Sequence, residues 1–219
     1  MVDFGPGSTP GFEGSESMGL GGTLIHWEGF RIRFPLFGPH NLANALGALS
    51  VARELGVPNA EIRDGLEAVA PLFGRSQVIN GDVTVIVDCY NANPDSMEHA
   101  LEFFESLGWK VRRIAVLGGM RELGDQTGPA HMELGKRLRA TGLDMVFLVG
   151  AEMEQAWKSA QGGASVKRLS WETSLETLDR LLRSLVRRGD IVLLKGSRGL
   201  ELERLLPGLT GDSAGGDRC

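Results

Sequence analysis

A short polar stretch in the middle of this 219-residue chain holds the side chains best suited to chemistry. Asp88, Tyr90, Asn91 and Asn93 supply a carboxylate, a phenol and two amides within six positions. The preceding segment 83–87 is an uninterrupted run of β-branched residues, which is typical of a buried parallel strand. Open α/β sheets bind ligands beside the carboxyl ends of their strands. The pattern therefore predicts a ligand site in this turn.

A second polar turn follows segment 190–194, whose residues 191–194 are all apolar and have the composition of a buried strand. Lys195, Ser197 and Arg198 supply two cations and a hydroxyl beside flexible glycines. Such a set can bind the oxygens of a carboxylate or a phosphate. The alternative interpretation is a solvated turn between a strand and a helix.

The elements that must position these turns alternate along residues 77–206. Asn80-Gly81 predicts a hairpin turn before the first buried strand. Asn93 is suited to cap the next helix, because Pro94 then takes its first position, where no N–H is needed. We predict strands over 83–88, 113–117, 145–149, 166–169 and 190–194, and helices over 94–107, from about 129, and over 151–160, 175–186 and 200–206. This alternation is typical of a doubly wound, mostly parallel sheet.

The first third of the chain has a different pattern. Residues 1–22 are rich in Gly, Ser and Pro, which predicts a loop or a disordered arm. Alternating residues over 23–36 predict a hairpin, and apolar residues at helical spacing predict a helix over 40–55. We place a domain boundary near Gly74 and expect the polar residues 210–219 to form a flexible tail.

Composition narrows the class of protein. At ~150 residues per domain, 219 residues suggest between one and two domains. A net charge of −5 argues against a general nucleic-acid binder. The two cysteines do not form a disulfide framework, and we find no long apolar run or leader. We therefore expect a cytoplasmic protein with no nucleic-acid or membrane partner.

Four motifs in order resemble the Mur ligase family, and its MurF type in particular. The family patterns are Gly-x-His-Asn-x-x-Asn-Ala, Asp-x-Tyr-Asn-Ala-Asn-Pro-Asp-Ser-Met, Leu-Gly-Asp-Met-x-Glu-Leu-Gly and Lys-Gly-Ser-Arg…Glu. The corresponding segments are 38–45, 88–97, 117–124 and 195–203. One departure is Gly119, which stands where the family usually has Asp and leaves the role of that loop open.

The resemblance implies an architecture and an activity. Residues 1–74 resemble the last part of the family's central ATPase domain, residues 75–209 its Rossmann-like C-terminal domain, and 210–219 would be a tail. The implied reaction is peptidoglycan precursor synthesis, in which ATP drives amide-bond formation between UDP-N-acetylmuramoyl-tripeptide and D-alanyl-D-alanine. The implied cofactors are ATP and Mg²⁺, whose main phosphate and metal ligands are expected outside this chain.

The resemblance also implies roles for individual residues, and no catalytic or metal-binding residue is assigned. The ATP-binding candidates are Asn41, Asn44, Arg75, Asp88, Tyr90 and Asn91. The substrate-binding candidates are Asn93, Lys195, Ser197 and Arg198. Structural alternatives stay open: Asn41 as a helix cap, Asp88 in an Asx turn, Arg75 as a solvated linker residue and Asn93 as a cap alone.

The phosphate-binding pattern Gly-x-x-x-x-Gly-Lys-[Ser/Thr] does not occur in this sequence. We therefore expect the isolated chain to be inactive as a ligase, since phosphoryl transfer depends on those groups. Three hypotheses follow: a fragment of a ligase, half of a split enzyme with a complementary chain that carries the P-loop, or a non-catalytic nucleotide- or peptide-binding module. Another Mur-type or folylpolyglutamate-type ligase is the alternative enzyme. We also expect exposed apolar surface on the hairpin and helix of residues 23–55.

Overall fold

The computed structural model describes residues 3–163 and 166–211. The chain divides into two compact units between Leu72 and Phe73. Part of the predicted tail, residues 212–219, lies outside the described residues, whereas Thr210 is the last residue of a helix. Among the described helices, none combines the length and the apolar composition needed to cross a membrane.

The first unit is a three-stranded antiparallel sheet with two helices, in the strand order β1-β2-β3. Its elements are β1 Phe12–Ser17, β2 Thr23–Trp27, β3 Phe30–Phe34, α1 Pro39–Glu54 and α2 Asn59–Glu67. The predicted hairpin and the long helix are confirmed. The prediction of a loop or arm over residues 1–22 is wrong for β1, which pairs with β2 along its length. Backbone hydrogen bonding to a neighbour holds this polar strand, and side-chain periodicity does not reveal such bonding.

The hairpin and the two helices of the first unit form a hydrophobic core of their own. The buried residues of the hairpin pack against those of the two helices, and the cluster consists of Ile25, Trp27, Ile32, Phe34, Ala45, Leu49, Ile62 and Leu66. The indole N–H of Trp27 donates to the carbonyl of Pro10 at 3.0 Å. The expectation that the apolar residues of the hairpin and α1 stay exposed is therefore wrong for these residues, whereas Val51 of α1 is 50% exposed.

The second unit contains a six-stranded sheet in the order β4-β5-β9-β6-β7-β8. Its strands are β4 Gln77–Ile79, β5 Thr84–Asp88, β6 Arg113–Gly118, β7 Met145–Val149, β8 Arg168–Glu172 and β9 Ile191–Lys195. Its helices are α3 Pro94–Ser106, α4 Thr127–Leu138, α5 Glu154–Ala160, α6 Leu175–Leu185 and α7 Leu206–Thr210. Five strands run parallel, and β4 forms the predicted antiparallel hairpin with β5. The doubly wound fold is confirmed.

Strand β5 shows why this sheet needs helices on both faces. Val85 and Val87 belong to one buried cluster that includes residues of α6 and α7. Ile86 between them is also buried and, by the alternation of a strand, faces the other side. The predicted cap of α3 is confirmed, because the Asn93 side chain accepts from the Ser96 N–H at 2.8 Å while Ser96 Oγ accepts from the Asn93 N–H. This capping box sets where the turn after β5 ends.

Candidate functional site

The predicted site residues of the second unit gather at one edge of its sheet. Strand β9 lies between β5 and β6, and Lys195 is in register with both Asp88 and Leu117. Because the three strands are parallel, the turns after β5, β6 and β9 leave the sheet side by side. These turns carry Tyr90, Asn91, Asn93, Ser197 and Arg198.

Lys195 and Asp88 form an ion pair across adjacent strands. The ammonium lies 2.8 Å from Asp88 Oδ2, with the side chains 3% and 20% exposed. The ammonium also donates to the carbonyl of Asn91 at 2.9 Å. Asp88 Oδ1 accepts from the Ser76 N–H at 3.2 Å. Lys195 is therefore not part of a solvated turn, and Asp88 binds a distant backbone group instead of forming an Asx turn.

Arg75 is held against the turn after β5. Its guanidinium carbon lies 4.2 Å from the ring centroid of Tyr90, a cation–π distance. The Tyr90 N–H donates to the Gly74 carbonyl at 3.0 Å. Gly74 has φ +71°, and a Cβ there would lie 3.3 Å from the Tyr90 nitrogen, so the close approach suits glycine. Arg75 is exposed, but it is not simply a solvated linker residue.

Arg198 is paired with a carboxylate that also contacts a buried thiol. Its Nη1 lies 2.5 Å from Glu203 Oε1, and the Cys89 thiol donates to Glu203 Oε2 at 3.5 Å. Burial, and then the charge of Glu203, raise the pKa of the Cys89 thiol to about 12. The thiol is therefore protonated at neutral pH and acts as a weak hydrogen-bond donor instead of a nucleophile.

The turn after β6 contributes a residue that sequence analysis missed. The Arg121 N–H donates to Ser197 Oγ at 2.9 Å, and the Ser197 N–H donates to the Gly119 carbonyl at 3.3 Å. The Arg121 Nε lies 3.9 Å from Glu152 Oε1, in the turn after β7. Arg121 occupies an unspecified position of the third motif, so no sequence signal identified it.

Gly119 leaves space that another side chain fills. A Cβ at this position would lie 3.0 Å from Glu152 Oε2. The carboxylate of Glu152 therefore lies where a side chain at position 119 would begin. Sequence analysis also missed Glu152, because it is separated from Gly119 by a helix and a strand.

A buried histidine shapes the same turn. His131 on α4 is fully buried. Its Nε2 accepts from the Met120 N–H at 3.0 Å, and its Nδ1 donates to the Thr127 carbonyl at 2.6 Å. These partners require a neutral imidazole with the proton on Nδ1. His131 therefore has a structural role in positioning the turn.

Two predicted ATP-binding residues lie in the first unit, on helix α1. Gly38 is the residue before its first turn, and no side chain caps that end. The Asn41 amide donates to the Phe37 carbonyl at 2.8 Å, so the interpretation of Asn41 as the helix cap is wrong. Asn44 lies on the exposed side of α1.

The acidic side chains of the described residues do not assemble a metal centre. No group of three His, Cys, Asp or Glu residues within 3–163 and 166–211 is arranged to hold a metal ion. Asp88, the acid at the candidate nucleotide edge, already shares its oxygens with Lys195 and Ser76. The edge is therefore suited to hydroxyl groups and anions of a ligand.

A doubly wound α/β unit with its polar residues at the carboxyl edge is the architecture of a ligand-binding α/β domain. Residues 74–198 match the family described as "Mur ligase, glutamate ligase domain". The chain belongs to the Mur ligase family.

Curated proteins similar to this chain are ligases of the same family. The chain is 40% identical over 192 residues to the UDP-N-acetylmuramoyl-tripeptide–D-alanyl-D-alanine ligase of Treponema pallidum, covering 86% of this chain and 41% of that protein. The ligase of the same name from Bacillus subtilis is 31% identical, over 80% of this chain and 39% of its own length. The chain thus spans about two fifths of the curated relatives it matches.

Solved structures show the same similarity. A crystal structure of MurF from Acinetobacter baumannii superposes with a TM-score of 0.79 at 29% identity, over 94% of this chain and 46% of that one. MurF ligase from Thermotoga maritima in complex with ADP superposes with a TM-score of 0.73 at 27% identity, over 91% and 45%. The fold of the chain is thus that of MurF ligases over nearly its whole length.

Proposed function

We propose that this chain serves peptidoglycan precursor synthesis as part of an ATP-dependent ligase of the MurF type. The observation that carries the proposal is its 40% identity to a UDP-N-acetylmuramoyl-tripeptide–D-alanyl-D-alanine ligase over 86% of its length. The substrates would be UDP-N-acetylmuramoyl-tripeptide and D-alanyl-D-alanine, and the reaction would take place in the cytoplasm.

The chemistry explains why ATP is needed. A carboxylate is a poor electrophile, so its oxygen first attacks the γ-phosphorus of ATP, and the bond to the leaving ADP breaks. The amine of D-alanyl-D-alanine then attacks the carbonyl carbon of the acyl phosphate. The C–N bond forms, the bond to phosphate breaks, and the nitrogen loses a proton. Exclusion of water protects the acyl phosphate from hydrolysis.

The turn after β5 supports a nucleotide role. We propose that the Asp88 carboxylate accepts hydrogen bonds from the ribose hydroxyls, with its orientation set by Lys195 and Ser76. A carboxylate at such a sheet edge is the usual ribose ligand. The ADP complex of the Thermotoga maritima relative supports a nucleotide in this family.

The remaining candidate residues are assigned either to nucleotide binding or to substrate binding. We propose that Asn41 and Asn44 contact adenine and that Tyr90 and Asn91 face the nucleotide. Arg75 would contact the phosphates, and its exposed stacking on Tyr90 keeps its N–H groups accessible. Asn93, Lys195, Ser197 and Arg198 would form the substrate side, with Lys195 acting through the groups that it orients.

The division of the chain follows from the same proposal. Residues 1–74 would be the end of the central ATPase domain, and residues 75–209 the C-terminal domain. The P-loop and the main Mg²⁺ ligands would then lie in sequence that is not part of this chain, or in a complementary chain. We therefore expect the isolated chain not to catalyse ligation.

A chimera tests the function directly. The region of the Treponema pallidum relative that matches this chain is replaced by this chain, and phosphate release is measured with each candidate amino acid or dipeptide. We expect phosphate release that depends on D-alanyl-D-alanine. Asp88→Asn should raise the KM for ATP about tenfold, by loss of a charged hydrogen-bond acceptor, whereas Asp82→Asn, an exposed acid, should have no effect.

Other outcomes overturn the proposal in distinct ways. Turnover with glutamate or another amino acid would indicate a different ligase of the family. A folded chimera that binds ADP but ligates nothing would indicate a non-catalytic binding module. Ligation by the isolated 219-residue chain would overturn the prediction that this chain alone does not catalyse the reaction.

A further inference from the structure

Three cations, Arg121, Lys195 and Arg198, lie at or just after the ends of β6 and β9, and they differ in what they already bind. Lys195 is buried and engaged by Asp88 and the Asn91 carbonyl. Arg198 is paired with Glu203 at 2.5 Å. In the described part of the chain, the Arg121 guanidinium has no hydrogen-bond acceptor, since Glu152 lies 3.9 Å away. Arg121 therefore keeps its N–H donors available to a ligand.

The position of Arg121 is set by the neighbouring turn. Its backbone N–H is bonded to Ser197 Oγ at 2.9 Å. Its guanidinium lies over Gly199, where a Cβ would come within 3.1 Å of the guanidinium carbon. Ser197 is 4% exposed, and its hydroxyl proton has no acceptor among residues 3–163 and 166–211. A guanidinium and a hydroxyl donor therefore lie on two adjacent turns that are joined by a hydrogen bond.

We propose that Arg121 and the Ser197 hydroxyl bind the carboxylate of the incoming dipeptide. This inference rests on the proposed function and specifies which cation recognises the amine-bearing substrate. A guanidinium fork matches a carboxylate in a bidentate arrangement, and the hydroxyl can donate to the same oxygens.

The surrounding charges favour a carboxylate over a phosphate. Glu152 lies beside Arg121, and Glu203 neutralises Arg198, so each guanidinium already has an acidic neighbour. These carboxylates repel a phosphate dianion about twice as strongly as the single charge of a carboxylate at the same distance, so the monoanion is favoured at Arg121. A carboxylate and a phosphate share the oxyanion chemistry, so the test must separate them.

The test measures binding to the complete 219-residue chain by calorimetry. The probes are D-alanyl-D-alanine, its C-terminal amide, which lacks the carboxylate, and inorganic phosphate. We expect the dipeptide to bind at least about tenfold more tightly than its amide. Arg121→Gln should abolish this difference, and Arg121→Lys should keep part of it. Arg188→Gln, at a side chain 87% exposed, is the matched control and should behave like the wild type.

Each result has a defined meaning. Equal melting temperatures of Arg121→Gln and the wild type show that the variant folds. If Arg121→Gln does not fold, the conservative variant Arg121→Lys still tests whether discrimination between the dipeptide and its amide is reduced. Undiminished discrimination in both Arg121 variants overturns the role of Arg121 and leaves the proposed dipeptide function intact. If the Arg121 variants lose phosphate binding but keep dipeptide binding, Arg121 binds a phosphate instead of the dipeptide carboxylate, and the inference is overturned. No dipeptide binding by the wild type overturns the inference and counts against the proposed function.

Discussion

Lys195 and Asp88 stand opposite each other on adjacent parallel strands, and their side chains meet in an ion pair of 2.8 Å that is largely removed from solvent. The pair joins the last residue of β9 to the last residue of β5. Through its second bond, to the Asn91 carbonyl, Lys195 also holds the turn that follows β5. Lys195, which holds Asp88 and the turn after β5 in place, is therefore itself nearly inaccessible to solvent.

Removing one partner of this pair should be strongly destabilising. We expect Lys195→Met to lower the free energy of unfolding by about 2–4 kcal/mol, because Asp88 is left charged and largely buried. Urea unfolding of the variant checks this value. Lys136→Met, which breaks an exposed pair with Glu133, should change stability by less than about 1 kcal/mol. Equal effects of the two substitutions would contradict the prediction.

Gly119 and Glu152 should show coupled effects. Gly119→Asp places a Cβ about 3.0 Å from a carboxylate oxygen and adds a like charge beside it, so we expect a lower melting temperature. Glu152→Ala in the same chain should recover most of the loss, because it removes both the contact and the repulsion. Gly128→Ala is the control, since nothing surrounds that position. Additive losses in the double variant would rule out this account.

The Cys89 thiol should resist alkylation in the folded chain. In a Cys219→Ser background, where Cys89 is the only thiol, reaction with iodoacetamide at pH 7.5 should be slow until urea unfolds the chain. The reason is burial together with a thiol pKa of about 12, which leaves little thiolate. Rapid labelling without denaturant would disprove it.

The raised pKa of the Cys89 thiol predicts how the stability of the chain changes at alkaline pH. The folded pKa of Cys89 is raised above its usual value, so the unfolded chain releases this proton first as the pH rises. The contribution of the protonated thiol to stability is complete below about pH 9 and is lost between about pH 9 and 12. Cys89→Ala should therefore show a shallower loss of stability over this interval than its parent, measured by urea unfolding at each pH.

The capping box of α3 separates a structural role of Asn93 from a binding role. Asn93→Ala should reduce stability by about 1 kcal/mol, because the Ser96 N–H loses its acceptor. Asn93→Asp should retain the cap and hence the stability. If Asn93→Asp nevertheless weakens dipeptide binding in calorimetry, Asn93 also contacts substrate. Full stability of Asn93→Ala would show that the box contributes nothing.

Local patterns in the sequence determined most of the second unit. The β-branched run before Asp88, the Asn93-Pro94 start of α3 and the turn at Asn80-Gly81 each predicted the observed element, because each depends on neighbouring residues alone. The same reasoning placed the candidate residues in turns after two predicted strands. The structure brings these turns to one sheet edge, because β5 and β9 are adjacent parallel strands and their following turns leave on a common side.

Tertiary structure alone decided which of these residues are free to bind a ligand. Pairing with β2 made a strand of the polar segment Phe12–Ser17. The same dependence on distant neighbours placed Lys195 in a buried ion pair and brought Arg121 to Ser197. Burial and ion pairing arise from residues far apart in the chain, so one-dimensional patterns predict the elements and their edge but not the partner of each charged group.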